Sequence, residues 1–410
     1  MAAAKNFGLD TVCIHGGHKE ESNRAHLTPI YASSTYTFES TDQAAAIFRG
    51  EEKGYVYGRF GNPTITEAED KIALLEAYSL KDANGNPLKL KAVLHASGMA
   101  ALTTMLLSNL KVGDKIITHP SLYGGTQEMI DKILPSLNIE AVIINFHDLD
   151  AVAKAILADK SIKLMYIETP ANPTLQCVDI AALSALGKAH NLVVCADNTF
   201  ATPYLQQPFK YDVDFVMHST TKFLNGHGTA IGGVLIGRDL ENMNGVVTKT
   251  HRLLGGNSNA FEAFLLTNGL RTFSLRMERH CSNAQQVAVF LSQHVAVSKV
   301  NYLGLKDHPD HGLAMKQMKH GGAMLSFELK GGYEAGVQFI NNLQLCTNAV
   351  SLGTCDTLVS HPASTTHVGV PREKRIEFGI TDGLIRMSVG LETLEDIIAD
   401  IDQSLHNIKQ

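Results

Sequence analysis

The feature that most limits how this chain can fold is a series of short apolar runs between residues 90 and 240, each ending in polar residues. They are Val93-Leu94-His95, Lys115-Ile116-Ile117-Thr118, Leu164-Met165-Tyr166-Ile167, Asn191-Leu192-Val193-Val194-Cys195-Ala196 and Tyr211-Asp212-Val213-Asp214-Phe215-Val216. Such runs suit strands covered on both faces. Their alternation with helical patterns, such as Ala181 to His190, predicts an α/β fold with a mostly parallel sheet. Sheets of this kind bind their ligands just beyond the C-terminal ends of the strands.

The last run leads into Met217-His218-Ser219-Thr220-Thr221-Lys222-Phe223-Leu224-Asn225-Gly226-His227-Gly228. A lysine at the end of a buried strand can lose solvation and fall in pKa, which suits an amine that forms a Schiff base. Ser219 and Thr221 flank it with hydroxyls able to hold a phosphate. Taken singly, Lys222 reads more readily as a solvated loop residue and Asp197 as a turn or capping aspartate. As a pair they say more. Asp197 closes the preceding run 25 positions earlier, which fits one step between neighbouring parallel strands. Pyridoxal phosphate needs this pair: a lysine for the imine, and an aspartate that keeps the pyridine nitrogen protonated as an electron sink.

The stretch S-T-T-K-F-L-N-G-H resembles the lysine motif, roughly S-x-T-K-[FY]-x-x-G-H, of the Cys/Met-metabolism family of pyridoxal-phosphate enzymes. That family includes cystathionine γ-synthases and lyases, methionine γ-lyases and O-acylhomoserine sulfhydrylases, and further motifs match along nearly the whole chain. The resemblance implies pyridoxal 5'-phosphate as cofactor and the aminotransferase-like (type I) fold. It further implies an extended N-terminal arm over residues 1–63, a cofactor-binding large domain over 64–272 and a smaller C-terminal α/β domain over 273–410. A homotetramer built from dimers with shared active sites is implied as well.

Residue by residue, the resemblance assigns roles. In Y-G-R-F-G-N-P-T, Tyr57 and Arg59 bind the cofactor phosphate of the neighbouring subunit; a planar guanidinium suits a phosphate. The segment also reads as a turn closed by Asn62-Pro63 before a helix. Ala96-Ser97-Gly98-Met99 leads from a strand into a helix N-terminus, and Gly98 and Met99 form the phosphate cup. Tyr123, in L-Y-G, stacks on the cofactor ring and protonates the leaving group; without the family it reads as a core tyrosine. Asn172 lies near the cofactor's phenolic oxygen. Arg386, in L-I-R-M-S-V-G-L-E, grips the substrate α-carboxylate, with a structural ion pair as the alternative outside the family. Ser351 joins Arg386 and Tyr123 on the substrate side.

Composition narrows the partners. A net charge of −6 without long charge runs argues against nucleic acid or an anionic membrane as partner. No apolar run reaches the roughly 18 residues of a membrane span. Met1 to Asp10 lacks an apolar signal core, and six dispersed cysteines read as reduced thiols of a cytoplasmic protein. The 18 histidines fall at neither HxxxH nor HExxH spacing, so no metal is expected. Lys81-Asp82-Ala83-Asn84-Gly85-Asn86-Pro87 reads as a surface insertion.

Substrate choice turns on fewer residues. Val350 stands before Ser351 in A-V-S-L-G, as in methionine γ-lyases, where cystathionine-handling members usually carry glutamate. Valine suits a thioether methyl, because a site without a counter-charge penalises a zwitterionic tail. Gly125 departs from the cysteine many methionine γ-lyases have, and His251-Arg252 falls where they carry Lys-Asp. The reading is therefore a methionine γ-lyase-like elimination. Cystathionine γ-lyase, O-acetylhomoserine sulfhydrylase or γ-synthase chemistry, and a non-catalytic cofactor-binding regulator, are the alternatives.

Overall fold

The computed structural model describes residues 7–19 and 23–408. The first part of the expected arm, residues 1–6, and residues 20–22 lie outside the described residues. Seven strands build the large sheet: β1 (Lys91–His95), β2 (Lys115–Thr118), β3 (Glu140–Ile143), β4 (Ile162–Glu168), β5 (Val193–Asp197), β6 (Phe215–Ser219) and β7 (Gly233–Gly237). Their spatial order is β1-β7-β6-β5-β4-β2-β3. Strands β3, β2, β4, β5 and β6 run parallel, while β7 runs antiparallel between β6 and β1. Hydrophobic clusters cover both faces, which is why these strands read as unbroken apolar runs.

A second sheet holds β8 (Val297–Asn301), β9 (Met324–Leu329), β10 (Thr347–Asn348), β11 (Leu358–Ser360) and β12 (Leu384–Ser388), in the order β10-β11-β12-β9-β8. The helix Phe273–Gln293 packs on it through β8 and β9. Together these give the expected α/β fold, with a mostly parallel central sheet and a smaller C-terminal sheet.

Local chemistry explains where the elements begin. Helix α1 spans Leu9–His15, α2 Thr41–Arg49, α3 Pro63–Glu76 and α4 Gly98–Asn109. In α3, the Asn62 side chain accepts the Thr64 N–H at 2.9 Å and Pro63 takes the first helical position. Ile65, Ala68, Ile72 and Leu75 then bury one face at helical spacing. In α4, Ser97 caps the Ala100 N–H at 3.1 Å.

Two strand starts and one helix differ from the sequence reading. The run from Asn191 opens on a left-handed residue, φ 58°, and β5 begins only at Val193. The run from Tyr211 is not strand at its start: Pro208–Tyr211 is a 3-10 turn, Asp212 has φ 62°, and β6 begins at Phe215. Asp214 instead accepts the Val194 N–H at 2.8 Å, pinning the entry to β6 against β5. Helix α1 was not anticipated. Its last carbonyls are satisfied from outside, because the buried Lys71 amine donates to Cys13 O at 2.9 Å and Ile14 O at 3.1 Å. No helix among the described residues is long and apolar enough to cross a membrane. The six cysteines are free.

Candidate active site

Lys222 sits three residues beyond β6, in a turn where its N–H donates to Ser219 O at 3.3 Å and its carbonyl accepts the Gly226 N–H at 2.8 Å. Burial, and next the positive Arg386, lower its pKa to about 8. Its Nζ donates to Ser351 Oγ at 2.7 Å. The small sheet is thus tied directly to the lysine. Gly353 reinforces the tie, since a Cβ there would fall 2.6 Å from the Phe223 nitrogen.

The N-terminus of α4 faces the end of β6. A Cβ on Gly98 would lie 3.0 Å from the Ser219 Cβ, tighter than ordinary packing, so the glycine eases the close approach of the helix start. This brings free N–H groups of a twelve-residue helix beside a serine hydroxyl, the arrangement an anion needs. Ser219 is held from behind, its N–H donating to Thr199 Oγ1 at 2.9 Å. Thr221 is placed otherwise: its hydroxyl donates to Gly232 O at 3.2 Å and accepts the Gly232 N–H at 3.0 Å.

Asp197 ends β5, next to β6 in the parallel register. It accepts the Thr199 N–H at 2.9 Å and the Tyr166 hydroxyl at 3.2 Å. Tyr166 was not among the residues the sequence singled out. Strand parity is the signal that could have found it, since Tyr166 and Glu168 share a face of β4 and Glu168 lies level with Asp197.

Arg386, on β12, is 7% exposed. It donates to Ser351 O at 2.7 Å and to Asn172 Oδ1 at 3.3 Å, while its buried Nε has no partner. Burial lowers its pKa to about 10, and the nearest opposing influence is the Tyr123 phenol. Both of its partners are uncharged oxygens, which suits a guanidinium that receives a carboxylate from elsewhere better than a structural ion pair. Tyr123 itself is half exposed and packs beside Gly125 and Met99; a Cβ at Gly125 would lie 2.7 Å from its ring and 3.2 Å from the Met99 sulfur.

Tyr57 and Arg59 are not bonded to this cluster in their own chain. Arg59 donates to Arg252 O at 2.6 Å and lies 4.8 Å from the Phe60 ring centre and 5.6 Å from that of Tyr57. Arg252 in turn donates to Phe60 O at 3.0 Å. So Arg252 braces the arm segment, while His251 packs on His95 with ring centres 4.5 Å apart. Burial drives those two imidazoles down to about 4 and about 3, keeping both neutral. Elsewhere, His294, Asp402 and His406 bring ligand atoms within 4.8 Å of one another. The His294 Nδ1 accepts the Ala296 N–H at 3.2 Å, which leaves its proton on the nitrogen facing Asp402.

The cluster therefore offers an amine with a lowered pKa, a helix N-terminus opened by Gly98, a hydrogen-bonded carboxylate one strand away and a buried guanidinium. Each part matches one portion of pyridoxal phosphate or of an amino acid bound to it. The model of the family described as Cys/Met metabolism PLP-dependent enzyme matches residues 10–406. The chain is 45% identical to an L-methionine gamma-lyase of Fusobacterium nucleatum subsp. polymorphum, covering 98% of this chain and 99% of that one. An L-methionine gamma-lyase of Treponema denticola is 42% identical, with 98% of each chain covered. Among solved structures, a putative O-acetylhomoserine (thiol)-lyase from Campylobacter jejuni, with N'-pyridoxyl-lysine-5'-monophosphate, superposes with a TM-score of 0.90 at 34% identity, covering 98% of this chain and 100% of that one.

Proposed function

The chain belongs to the Cys/Met metabolism PLP-dependent enzyme family, and from that premise we propose that it is a methionine γ-lyase, converting L-methionine and water to methanethiol, 2-oxobutanoate and ammonia. The observation that carries this choice is Val350. It is 60% exposed and directly precedes Ser351, whose two oxygens meet Lys222 and Arg386. An apolar side chain there favours a thioether methyl over a charged tail.

Pyridoxal 5'-phosphate fits the cluster. In this reading Lys222 would hold its aldehyde carbon, Asp197 would serve its ring nitrogen, and Asn172 would stand by its phenolic oxygen. Gly98, Met99 and Ser219 would hold its phosphate, with the Thr221 hydroxyl turned from Gly232 toward it and Tyr57 and Arg59 of the partner subunit completing the cup. Bound there, the cofactor supplies an electron sink for the pair left at Cα of the substrate.

The protein's own groups do the rest. Arg386 exchanges the Ser351 carbonyl for the substrate carboxylate and so fixes Cα near the lysine. The Lys222 amine, with its pKa lowered by burial, takes the Cα proton, and Ser351 Oγ orients it while it does so. The same amine, freed of that first proton, then takes a second one from Cβ. Tyr123 then donates a proton to the departing sulfur.

The same reading takes residues 64–272 and 273–410 as two domains, the arm as a clasp on a second protomer within a tetramer, and the cytoplasm as the compartment. A broader thioether range is the second reading, and Gly125 favours it. A cysteine there would press on the Tyr123 ring, so its absence leaves the tyrosine room to shift for a longer leaving group. One assay separates the readings: purified holoenzyme with methionine, with cystathionine, and with O-acetylhomoserine plus sulfide. Methanethiol and 2-oxobutanoate from methionine as the fastest reaction is expected. No turnover of methionine, with homocysteine formed from O-acetylhomoserine, would sink the proposal.

A further inference from the structure

One carboxyl at the rim of the site takes no part in these steps. Glu168 ends β4, is 6% exposed, and lies level with Asp197 across the parallel pair β4–β5, so the two side chains leave the sheet on the same face. Its Oε2 accepts the backbone N–H of Tyr123 at 2.8 Å. The same carboxyl accepts from the backbone of Asn172. One side chain thus reaches the loop after β2, the loop after β4 and the neighbourhood of Asp197.

The Tyr123 loop is otherwise held upstream of the tyrosine, where His119 Nε2 and Ser121 Oγ meet Gln176 Oε1 at 3.1 and 3.4 Å. The helix that follows it, Gly124–Glu128, is five residues long and has no side-chain cap. The ring of Tyr123 is half exposed, and its neighbour Gly125 offers no side chain to wedge it. Asn172 matters equally, because its amide oxygen accepts from Arg386 at 3.3 Å. Burial first, and Asp197 second, push the Glu168 carboxyl well above the ordinary carboxylate range. A proton kept on Glu168 spares it the electrostatic repulsion of the neighbouring Asp197.

We infer that Glu168 is a positioning residue: a single carboxyl that ties the Tyr123 and Asn172 backbones to the end of the sheet and so sets the phenol and the amide against the cofactor. This rests on the cofactor reading above. What the two N–H groups require is an oxygen acceptor of the right length, and a carboxamide provides one as well as a neutral carboxylic acid does.

The test compares Glu168→Gln, Glu168→Ala and wild type, each prepared as apoprotein and titrated with pyridoxal 5'-phosphate. Thermal midpoint, cofactor dissociation constant, visible circular dichroism of the bound cofactor and steady-state kinetics are read for each. Glu168→Ala is expected to weaken cofactor binding at least tenfold, reduce the visible dichroic band and lower kcat at least tenfold. Glu168→Gln is expected to restore the band and bring the dissociation constant within about threefold of wild type, by the acceptor argument above. Should the alanine chain not fold, Glu168→Asp gives the same comparison, because the shortened arm cannot reach both N–H groups. An alanine or aspartate variant with wild-type dichroism and affinity overturns the inference, and so does a glutamine variant as damaged as the alanine one. If wild-type apoprotein binds no cofactor at all, it is the proposed function that falls, which keeps the two failures distinguishable.

Discussion

The Nζ of Lys222 lies 2.7 Å from the Oγ of Ser351, a bond that spans 129 positions and joins the end of the large sheet to a loop of the small one. Ser351 holds φ at 91°, a left-handed backbone that costs a serine about 1 kcal/mol or more. Removing the hydroxyl should free the amine without moving that backbone. Ser351→Ala is therefore expected to lower kcat about tenfold, the worth of one hydrogen bond to a charged group. The isotope effect with Cα-deuterated methionine should rise. An unchanged isotope effect with unchanged kcat would remove the orienting role.

The lowered Lys222 pKa sets how the apoprotein captures its cofactor with pH. Protonated below about 8, the amine is not a nucleophile; above it, the neutral form dominates. The rate of imine formation should climb through pH 7 and level off just above 8, whereas an ordinary lysine would keep gaining towards 10.5. Stopped-flow absorbance near the visible edge reads this directly. Lys222→Ala should give no such band and no elimination.

Arg386 carries a different signature. Lysine in its place keeps a positive charge but loses the planar fork. Arg386→Lys is expected to raise KM for methionine ten- to a hundredfold, from the loss of about 1.5–3 kcal/mol of charged hydrogen bonding. Cofactor affinity should stay near wild type. Loss of cofactor with unchanged KM would assign Arg386 to the wrong partner.

Behind the sheet, His218 Nε2 and Glu76 Oε1 lie 2.5 Å apart, both fully buried. Asn198 joins the same carboxylate at 3.4 Å, so α3, β5 and β6 meet at one point just below the site. Glu76→Ala leaves a buried imidazole without its partner and should cost about 3 kcal/mol of stability. A shift of the denaturant midpoint with unchanged slope checks it; a loss under about 1 kcal/mol would show the pair to be dispensable.

How legible all this was differs from residue to residue. Lys222 and Asp197 stand at the ends of apolar runs, and buried parallel strands leave few other places for a ligand, so their pairing could be read from the chain. The alternation of strand and helix gave the sheet, and the Asn62-Pro63 turn put the start of α3 within one residue, Pro63 itself being the first helical position. Tyr211 to Asp214 misled because Y-D-V-D-F-V is apolar enough to read as one buried strand, while a left-handed Asp212 turns the backbone before pairing begins. Helix α1 is seven residues long and owes its end to Lys71, more than fifty positions away. Glu168 hid for a related reason. In Glu168-Thr169-Pro170-Ala171-Asn172-Pro173 it reads as the first polar residue of a loop, and the Tyr123 N–H it accepts becomes visible only when β2 and β4 are side by side. Partners distant in sequence leave no local trace.

The Ser351 carbonyl on Arg386 makes the resting receptor a latch already closed on the chain's own backbone. An incoming ligand must out-compete that oxygen, and a carboxylate can, having two oxygens and a full charge where the carbonyl has one and none. A methyl ester or a primary alcohol brings no such advantage. Amino compounds without a free acid group should therefore be refused at the latch, before any bond to the cofactor comes into question.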